Sequence, residues 1–456
     1  MSMTEDLNLE GNWWIPDRPN EKRTGTLTFD KEHKEGVLSF SGFFNKRNEN
    51  DEGNQYDVIL GETNGLRVTL IQCLGKVEGN SQGWKSTFRA QRILLGDNFQ
   101  SNEDIIFSKV YAMYSGEGVN QWIGASSMPG THNYQARIVE SYIITLFSKP
   151  ITISLPKELQ EQSSDNVLCF QIESLKEKCL PKYLELSMNV REFLNFIFPK
   201  KIIMKSLYGV RENENRSKEN NSTITAEENH IKIIYSHASF EMFKPDLLPK
   251  PLFSLDNYDE YSSQIKFEKY MKKWFELSTK PVVILYCATM YEPDEYMDYL
   301  FLALATAIES YYNSFMKKKV EEFKSEKASR IDELTLKLSS SERSELKQIF
   351  DSIYHTPFKK IIRDVYEEFS YVTSSHFAST KEEKTPIEKE NRFIKKAGDT
   401  RIYVAHGSKS NDLEPAEGDE LVLLTKDLQF LVQLCIMTQL GFTKSDFMNL
   451  YHLNSV

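Results

Sequence analysis

The spacing of apolar residues changes near residue 265, and this change sets what each part of the chain can fold into. Up to about residue 155, apolar and polar residues alternate in short runs between turn residues, which is the period of a half-buried β-strand. The runs include GTLTF, GVLSFSGFF, YDVILGET, GLRVTLIQCL and SYIITLF. They are rich in β-branched and aromatic residues, so we predict antiparallel strands that pack as a sandwich or a barrel.

Residues 165–240 extend this β-rich half. Runs such as NVLCFQI and FLNFIFPKKIIMKSLYGV combine strand and helix signals, and both assignments stay open for residues 165–210. The almost wholly polar stretch 211–230 is typical of a surface loop. The segment IKIIYSHASF after it predicts one more strand.

Helical spacing takes over beyond residue 265. YMKKWFEL favours a short helix, whereas PVVILYCAT fits a buried strand or the start of a helix. Spacings of four and three then place one apolar stripe along a helix, formed by Met297, Phe301, Leu304, Ile308, Tyr311 and Phe315. A charged, solvated extension follows. Further amphipathic helices are predicted around residues 346–353 and 358–369, with a break near Pro357.

Two more features define the last helices. Thr385, Pro386 and Glu388 form a capping box with proline at the first helical position, and Gly407 suits a helix end. The segment LVLLTKDLQFLVQLCIMTQL is apolar nearly all round, so we expect it to be the buried centre of a bundle. The fold class is therefore α+β. A β-rich region is expected over residues 1–265, with room for two subdomains and a break near 155–210, followed by an all-α bundle over 266–456.

Composition limits the compartment and the partners. The 456 residues are enough for two or three domains that fold without disulfides. The five cysteines lie far apart with no C-x-x-C pair, so we expect reduced, buried thiols. Neither a signal peptide nor an apolar run of membrane-spanning length is found, which favours a soluble, cytoplasmic protein with no membrane partner. The net charge of −10 argues against a general nucleic-acid coating protein but allows a small basic site.

One basic cluster lies within this acidic chain. Residues 391–410 hold five cations against the single acid Asp399, namely Arg392, Lys395, Lys396, Arg401 and Lys409. Five acids and no base follow directly in NDLEPAEGDE. The cluster suits a small phosphate site, although the same charge pattern also fits a solvated helix face. If the cluster binds phosphate, we expect the acidic run to shield it at rest.

Arg401 and His406 give this cluster a chemical capacity. Arginine offers planar donors to phosphate and keeps its charge, and histidine exchanges a proton near neutral pH. Metal-free RNA cleavage needs a group that moves protons at the 2′-hydroxyl or the leaving oxygen, and a cation that stabilises the phosphorane. On a straight helix, however, five residues separate the two side chains by roughly 140°. Either Gly398 and Asp399 bend the helix, or two copies of the motif meet in a dimer.

Several segments resemble the ApeA branch of the HEPN (higher-eukaryote and prokaryote nucleotide-binding) superfamily. GDTRIYVAHG is similar to the HEPN motif, in which four to six residues separate arginine from histidine. FLALATAIESYYNSF resembles the glutamate-bearing first helix of that branch, while EGNWWIPDRPNEKRTGTLTF and ILGETNGLRVTLIQC resemble the ApeA amino-terminal domain. The resemblance covers most of the chain, in the same order. It implies a bacterial anti-phage protein of the abortive-infection kind, whose HEPN ribonuclease stays quiet until infection.

The resemblance also implies roles for single residues. Arg401 would bind and polarise the scissile phosphate, His406 would act as the acid or base, and Glu309 would orient Arg401 from behind. The surrounding cations Arg392, Lys395, Lys396 and Lys409 would bind RNA.

One position departs from the HEPN pattern. The residue after the arginine is often polar in these motifs, whereas here it is Ile402. Thr400 or Tyr403 could supply the missing polar contact. The departure puts in doubt either full catalytic strength or which residue makes that contact.

We therefore expect a metal-independent, cofactor-free endoribonuclease that cleaves cellular RNA, with tRNA favoured by the resemblance, and leaves a 2′,3′-cyclic phosphate. The β-rich region would sense a phage-derived trigger, and the bundle would form at least a homodimer. The alternative is a non-catalytic HEPN module that dimerises or holds a nucleotide, while the β-rich half recognises a ligand. Phosphate-loop, nucleophile-elbow and zincin motifs are absent, and no histidine or cysteine spacing indicates metal ligands.

Overall fold

The computed structural model describes residues 6–30, 33, 35–44, 55–80, 83–117, 119, 122, 133–138, 142–147, 167–211, 229–235, 251–253, 255, 260–290, 296–335, 338–342, 344, 356–376, 385–407 and 412–452. The chain divides into two compact units. The first comprises Met1–Glu241 and Pro251–Phe275, and the second comprises Met242–Lys250 and Glu276–Val456. The helix predicted around 346–353 and nearly all of the loop predicted for 211–230 lie outside the described residues.

Antiparallel strands dominate the described part of the first unit. They are β1 Leu7–Trp14, β2 Arg23–Asp30, β3 Glu35–Ser41, β4 Gln55–Thr63, β5 Leu66–Asn80, β6 Gly83–Leu95, β7 Ile106–Ser115, β8 Asn133–Ile138, β9 Tyr142–Phe147, β10 Val167–Cys179, β11 Ile203–Arg211 and β12 Asn229–Tyr235. Helix α1 Leu180–Ile197 lies between β10 and β11, and α2 Glu260–Leu277 follows β12. Within the range 165–210, where both assignments were open, the described residues from Val167 onward thus form a strand, a helix and a strand.

Strands β1 to β6 form a closed barrel. Their order is β3-β2-β1-β4-β5-β6, and β6 pairs again with β3, which closes the ring. Strand β6 is long enough to serve a further neighbour, because Lys85–Ala90 pairs with β3 whereas Arg92–Leu95 pairs with β12. The sheet therefore continues outward from β6 in the order β12-β11-β7-β10-β9-β8. Of the two predicted architectures, the barrel is the one that forms.

Buried and more exposed residues alternate along the strands, and the buried ones fill the barrel with large side chains. Leu27 and Phe29 of β2 point inward, as do Leu38 and Phe40 of β3, and all four are buried. Trp13 is also buried, and its indole Nε1 donates a hydrogen bond to the Gly25 carbonyl at 3.1 Å. The polar group of this core tryptophan is thereby satisfied.

The prediction of buried thiols is right for four cysteines and wrong for one. Cys73, Cys169, Cys287 and Cys435 are buried, whereas Cys179 is exposed. Cys179 stands where β10 ends and α1 begins, so it lies at a chain reversal rather than within a packed face. None of the five forms a disulfide.

The second unit is helical throughout its described elements. They are α3 Pro281–Ala288, α4 Met297–Phe315, α5 Lys317–Thr335, α6 Phe358–Glu368, α7 Ser370–His376, α8 Pro386–His406, α9 Asp419–Leu440 and α10 Lys444–His452. PVVILYCAT is a helix rather than a strand, with proline in its first turn. The apolar stripe predicted along α4 is confirmed, since Phe301, Leu304, Ile308 and Tyr311 are buried.

Helix α9 is the apolar centre of this unit, as predicted. It packs against α3, α4 and α8, and its buried residues lie on every side of the helix. By length and composition alone, α9 would also be able to cross a membrane. Most of its apolar surface is instead buried against the other helices of the unit.

Substitutions along α9 should separate core packing from surface effects. Leu431 is fully buried, whereas Leu423 on the same helix is 57% exposed. We expect Leu431→Ala to lower the free energy of unfolding by about 2–5 kcal/mol, because it leaves a cavity. Leu423→Ala should change it by less than about 0.5 kcal/mol. Urea unfolding followed by circular dichroism would measure both, and equal losses would contradict a central role for α9.

Candidate functional site

Helix α8 carries the basic cluster and both residues of the motif. The Thr385 side chain accepts a hydrogen bond from the Glu388 backbone N–H at 3.3 Å, and Pro386 occupies the first turn. Gly407 ends the helix in the left-handed conformation, with φ of 65°, and its N–H donates to the Tyr403 carbonyl at 2.8 Å. Both predicted helix ends are therefore confirmed. Lys409 lies outside the described residues.

Arg401 and His406 leave α8 in different directions. Helical conformation continues through Gly398 and Asp399 to His406, so the roughly 140° separation of the two side chains is retained. Arg401 is three-quarters buried, and its Nε donates to Glu309 Oε1 of α4 at 3.3 Å. His406 is exposed in the last turn, on the helix face of Lys395 and Ile402, which lie within roughly 40° of it. One chain alone thus does not bring the two side chains together.

The contact with Glu309 occupies only one edge of the Arg401 guanidinium. It uses Nε, while bidentate phosphate binding can use the two Nη groups. The carboxylate holds a side chain that otherwise has many rotamers, so the cation is fixed near the helix surface before any ligand arrives.

Asp399 forms a buried junction between α6, α8 and the acidic segment, which we define as residues 412–420. Its Oδ1 accepts from Lys359 Nζ of α6 at 2.7 Å, and its Oδ2 accepts from the Glu414 backbone N–H at 3.2 Å. Gly398 makes this possible, because a β-carbon there would clash with the Lys359 side chain. Burial alone would raise the pKa of Asp399, yet the bonds from Lys359 and Glu414 and the charge of Lys395 hold it below its usual value.

The two proposed substitutes for the polar contact at Ile402 have different surroundings. Thr400 is fully buried, and its hydroxyl accepts from the Ala416 backbone N–H at 2.9 Å. Thr400 therefore supports the acidic segment from inside the fold. Tyr403 is half-buried, and Ile402 is exposed on the His406 face.

The acidic segment pairs with the cations of α8. Lys395 Nζ lies 2.8 Å from Glu414 Oε2, and Lys396 Nζ lies 3.1 Å from Glu420 Oε2. Arg392 lies 3.5 Å from the other oxygen of Glu420. The first pairing raises the pKa of Lys395 and lowers that of Glu414. Glu414 and Glu420 thus lie beside cations of α8, and the shielding expected from the sequence stays a prediction.

The sequence does not identify Lys359 as a site residue, because it stands 40 residues before Asp399 and outside every recognisable motif.

A polar cleft on the barrel is also not predicted from the sequence. The cleft encloses about 560 Å³ over β1, β2, β3 and β6. Trp84, Glu10 and Lys85 line it, together with hydroxyls of Thr24, Thr26, Ser39 and Ser41. Its residues come from four strands, so no local pattern marks it.

Within the described ranges, no group of three or more His, Cys, Asp or Glu side chains is placed to hold a metal ion.

Comparison with protein families matches nearly the whole chain. Residues 8–274 match the family model "ApeA N-terminal domain 1", and residues 302–446 match "Apea-like HEPN". The second match includes Glu309, Arg401, His406 and the acidic segment. Neither a curated protein sequence nor a solved structure matches this chain.

Replacement of Asp399 should show how strongly the junction holds the unit. We expect Asp399→Asn to lower the free energy of unfolding at pH 7 by about 1–3 kcal/mol, because a buried charge-assisted bond is lost. Since the pKa of Asp399 in the folded protein lies below its ordinary value of 3.8, the stability that this carboxylate contributes is present above pH 3.8 and is lost as the pH falls through the folded pKa.

Urea unfolding between pH 3 and pH 7 would measure this. The gap between wild type and Asp399→Asn should narrow below about pH 4. Asp412→Asn is the control, because Asp412 is exposed in the same segment. If Asp399→Asn and Asp412→Asn have the same free energy of unfolding at pH 7, the buried junction at Asp399 does not stabilise the helical unit.

Proposed function

This chain belongs to the ApeA-type HEPN defence proteins, and from that premise we propose that its helical unit is an endoribonuclease with Arg401 and His406 as the catalytic residues. HEPN domains are generally ribonucleases that bind RNA as dimers. The observation that carries the proposal for this chain is the Arg401–Glu309 contact. It holds one motif residue as a preorganised cation, while the other, His406, stays exposed to a substrate.

The reaction would be a transesterification of the RNA backbone. The 2′-oxygen attacks the adjacent phosphorus, the P–O5′ bond breaks, and the products are a 2′,3′-cyclic phosphate and a 5′-hydroxyl. His406 would take the 2′-hydroxyl proton or donate a proton to the leaving 5′-oxygen. Arg401 would stabilise the extra negative charge on the phosphorane through its Nη groups. Glu309 would position Arg401 and would not touch the substrate.

A homodimer supports this chemistry better than a single chain does. Arg401 and His406 diverge by roughly 140° on one helix, so one phosphate cannot easily meet both. A dimer in which two copies of the motif meet would place the arginine of one chain beside the histidine of the other. The proposed ribonuclease is therefore at least a dimer, with tRNA as the favoured cellular substrate.

The β-rich unit is the proposed sensor of a phage-derived trigger. Its cleft supports this role, because it combines an exposed aromatic ring with hydroxyls and with charges of both signs. Such a mixed lining gives specificity through a few placed polar groups.

A non-catalytic HEPN module is the second candidate. The exposed Ile402 favours it, since an apolar side chain occupies the position next to Arg401 that is often polar in HEPN motifs. In that case the bundle would dimerise or hold a nucleotide without cleaving RNA.

Wild type and Arg401→Ala, His406→Ala and Glu309→Gln variants, each assayed as purified protein and in phage-infected bacteria, should separate the two candidates. We expect the wild type to generate new 5′-hydroxyl ends in bacterial tRNA, slowly as purified protein and strongly upon infection. The two alanine variants should lose at least about 100-fold in rate. Glu309→Gln should lose roughly tenfold, because Arg401 keeps its charge but the neutral amide oxygen holds its Nε less firmly than the carboxylate does.

The readout is radiolabelling of 5′-hydroxyl ends on a denaturing gel. Arg330→Ala is the matched control, because Arg330 is an exposed arginine of α5 away from α8. If the folded wild type and all variants leave tRNA equally intact, before and after phage infection, the non-catalytic candidate replaces the ribonuclease.

Trp84→Ala tests the proposed sensor cleft. Trp84 is 39% exposed and lines the cleft, so its loss should abolish RNA cleavage upon infection while the purified variant cleaves tRNA at the wild-type rate. Leu74→Ala should leave both activities intact, because Leu74 is an exposed residue outside the lining. A normal infection response of Trp84→Ala would exclude the cleft as the trigger site.

A further inference from the structure

The acidic segment is fixed to α8 by two kinds of interaction of different strength. Backbone N–H groups of Glu414 and Ala416 bond to Asp399 and Thr400, which are almost completely buried. Such bonds are expensive to break, because they would leave buried polar groups without partners. The backbone of the segment is therefore a permanent part of the helical unit.

The side-chain pairs of the segment are weaker and exchangeable. Glu414, Glu420, Lys395 and Arg392 keep a large exposed fraction, whereas Lys396, the nearer partner of Glu420, is 21% exposed. Exposed ion pairs contribute about 0–1 kcal/mol each and are screened by salt. These carboxylates can therefore leave the cations while the backbone stays in place.

We propose that Arg392, Lys395 and Lys396 form an RNA backbone-binding surface, and that Glu414 and Glu420 occupy its phosphate positions when no RNA is bound. The identity of the ligand as RNA rests on the proposed ribonuclease function. Lys395 lies on the same helix face as His406, about 16 Å along α8. The bound strand therefore extends several nucleotides from the reacting phosphate.

This arrangement selects strands over single nucleotides. A lone phosphate replaces one carboxylate and gains little, because one anion substitutes for another at the same cation. A strand replaces both carboxylates at once and releases its own condensed counterions. Glu414 and Glu420 thus lower the affinity of the surface for every anion, and only a strand that replaces both carboxylates overcomes this loss.

The test compares two variants that each remove two negative charges from the same segment. Glu414→Gln with Glu420→Gln removes the carboxylates that pair with α8. Asp412→Asn with Asp419→Asn removes two exposed carboxylates of the segment, for which the structure shows no contact with these cations. Both are made in full-length protein carrying His406→Ala, so that binding is measured without cleavage.

Binding of fluorescein-labelled bacterial tRNA is measured by anisotropy between 50 and 500 mM KCl. We expect the glutamine pair to lower the Kd about five- to tenfold at the lowest salt, with a steeper dependence on salt, and the asparagine pair to match the parent. Adding Lys395→Gln and Lys396→Gln to the glutamine pair should remove the gain.

If the glutamine pair and the asparagine pair lower the Kd for tRNA equally, only the net charge of the segment matters, and the proposal is overturned. Unchanged binding by the glutamine pair would overturn it as well. Either result leaves the proposed ribonuclease standing if Arg401 and His406 are still needed for cleavage. If the glutamine pair tightens tRNA binding but protein with an intact His406 cleaves no tRNA, the proposed function is removed and the binding surface is retained.

Discussion

The buried carboxylate of Asp399 holds together the three parts of the helical unit that meet at the candidate site. One oxygen binds the Lys359 ammonium of α6 and the other binds the backbone of the acidic segment. Burial of such a charge is costly unless every side of it is satisfied. Here the cost is offset by an ammonium group and a backbone N–H, so the junction fixes where the acidic segment crosses α8. The placement of Glu414 and Glu420 beside the cations follows from that anchor.

Helical geometry sets the second constraint. Since α8 stays helical to His406, Arg401 is directed toward Glu309 of α4 and His406 toward solvent. The inward direction gives Arg401 a partner that limits its rotamers, and the outward direction gives His406 access to a substrate. The same geometry keeps the two apart within one chain. A site assembled from two copies would be silent in an isolated chain, which suits the proposed ribonuclease and its proposed trigger.

The sheet topology of the β-rich unit depends on the length of β6. A strand of ordinary length would either close the barrel or extend the sheet, whereas Gly83–Leu95 does both by pairing first with β3 and then with β12. Closure removes the exposed edge of β3, which would otherwise be open to pairing with other chains. The polar cleft lies over β1, β2, β3 and β6 of this barrel.

The sequence by itself determined whatever depends on neighbours along the chain. Periodicity separated the β-rich part from the helical part, and Thr385, Pro386 and Gly407 marked both ends of α8, because caps and amphipathic faces are local properties. Only the tertiary structure decided between sandwich and barrel and brought Lys359 to Asp399 across 40 residues, whereas the contact of Arg401 with Glu309 across 92 residues was expected from the family resemblance alone. The tertiary structure also left Cys179 exposed and placed Glu414 and Glu420 beside cations of α8. These outcomes depend on which surfaces pack together in three dimensions, and residue spacing along the chain carries no information on that.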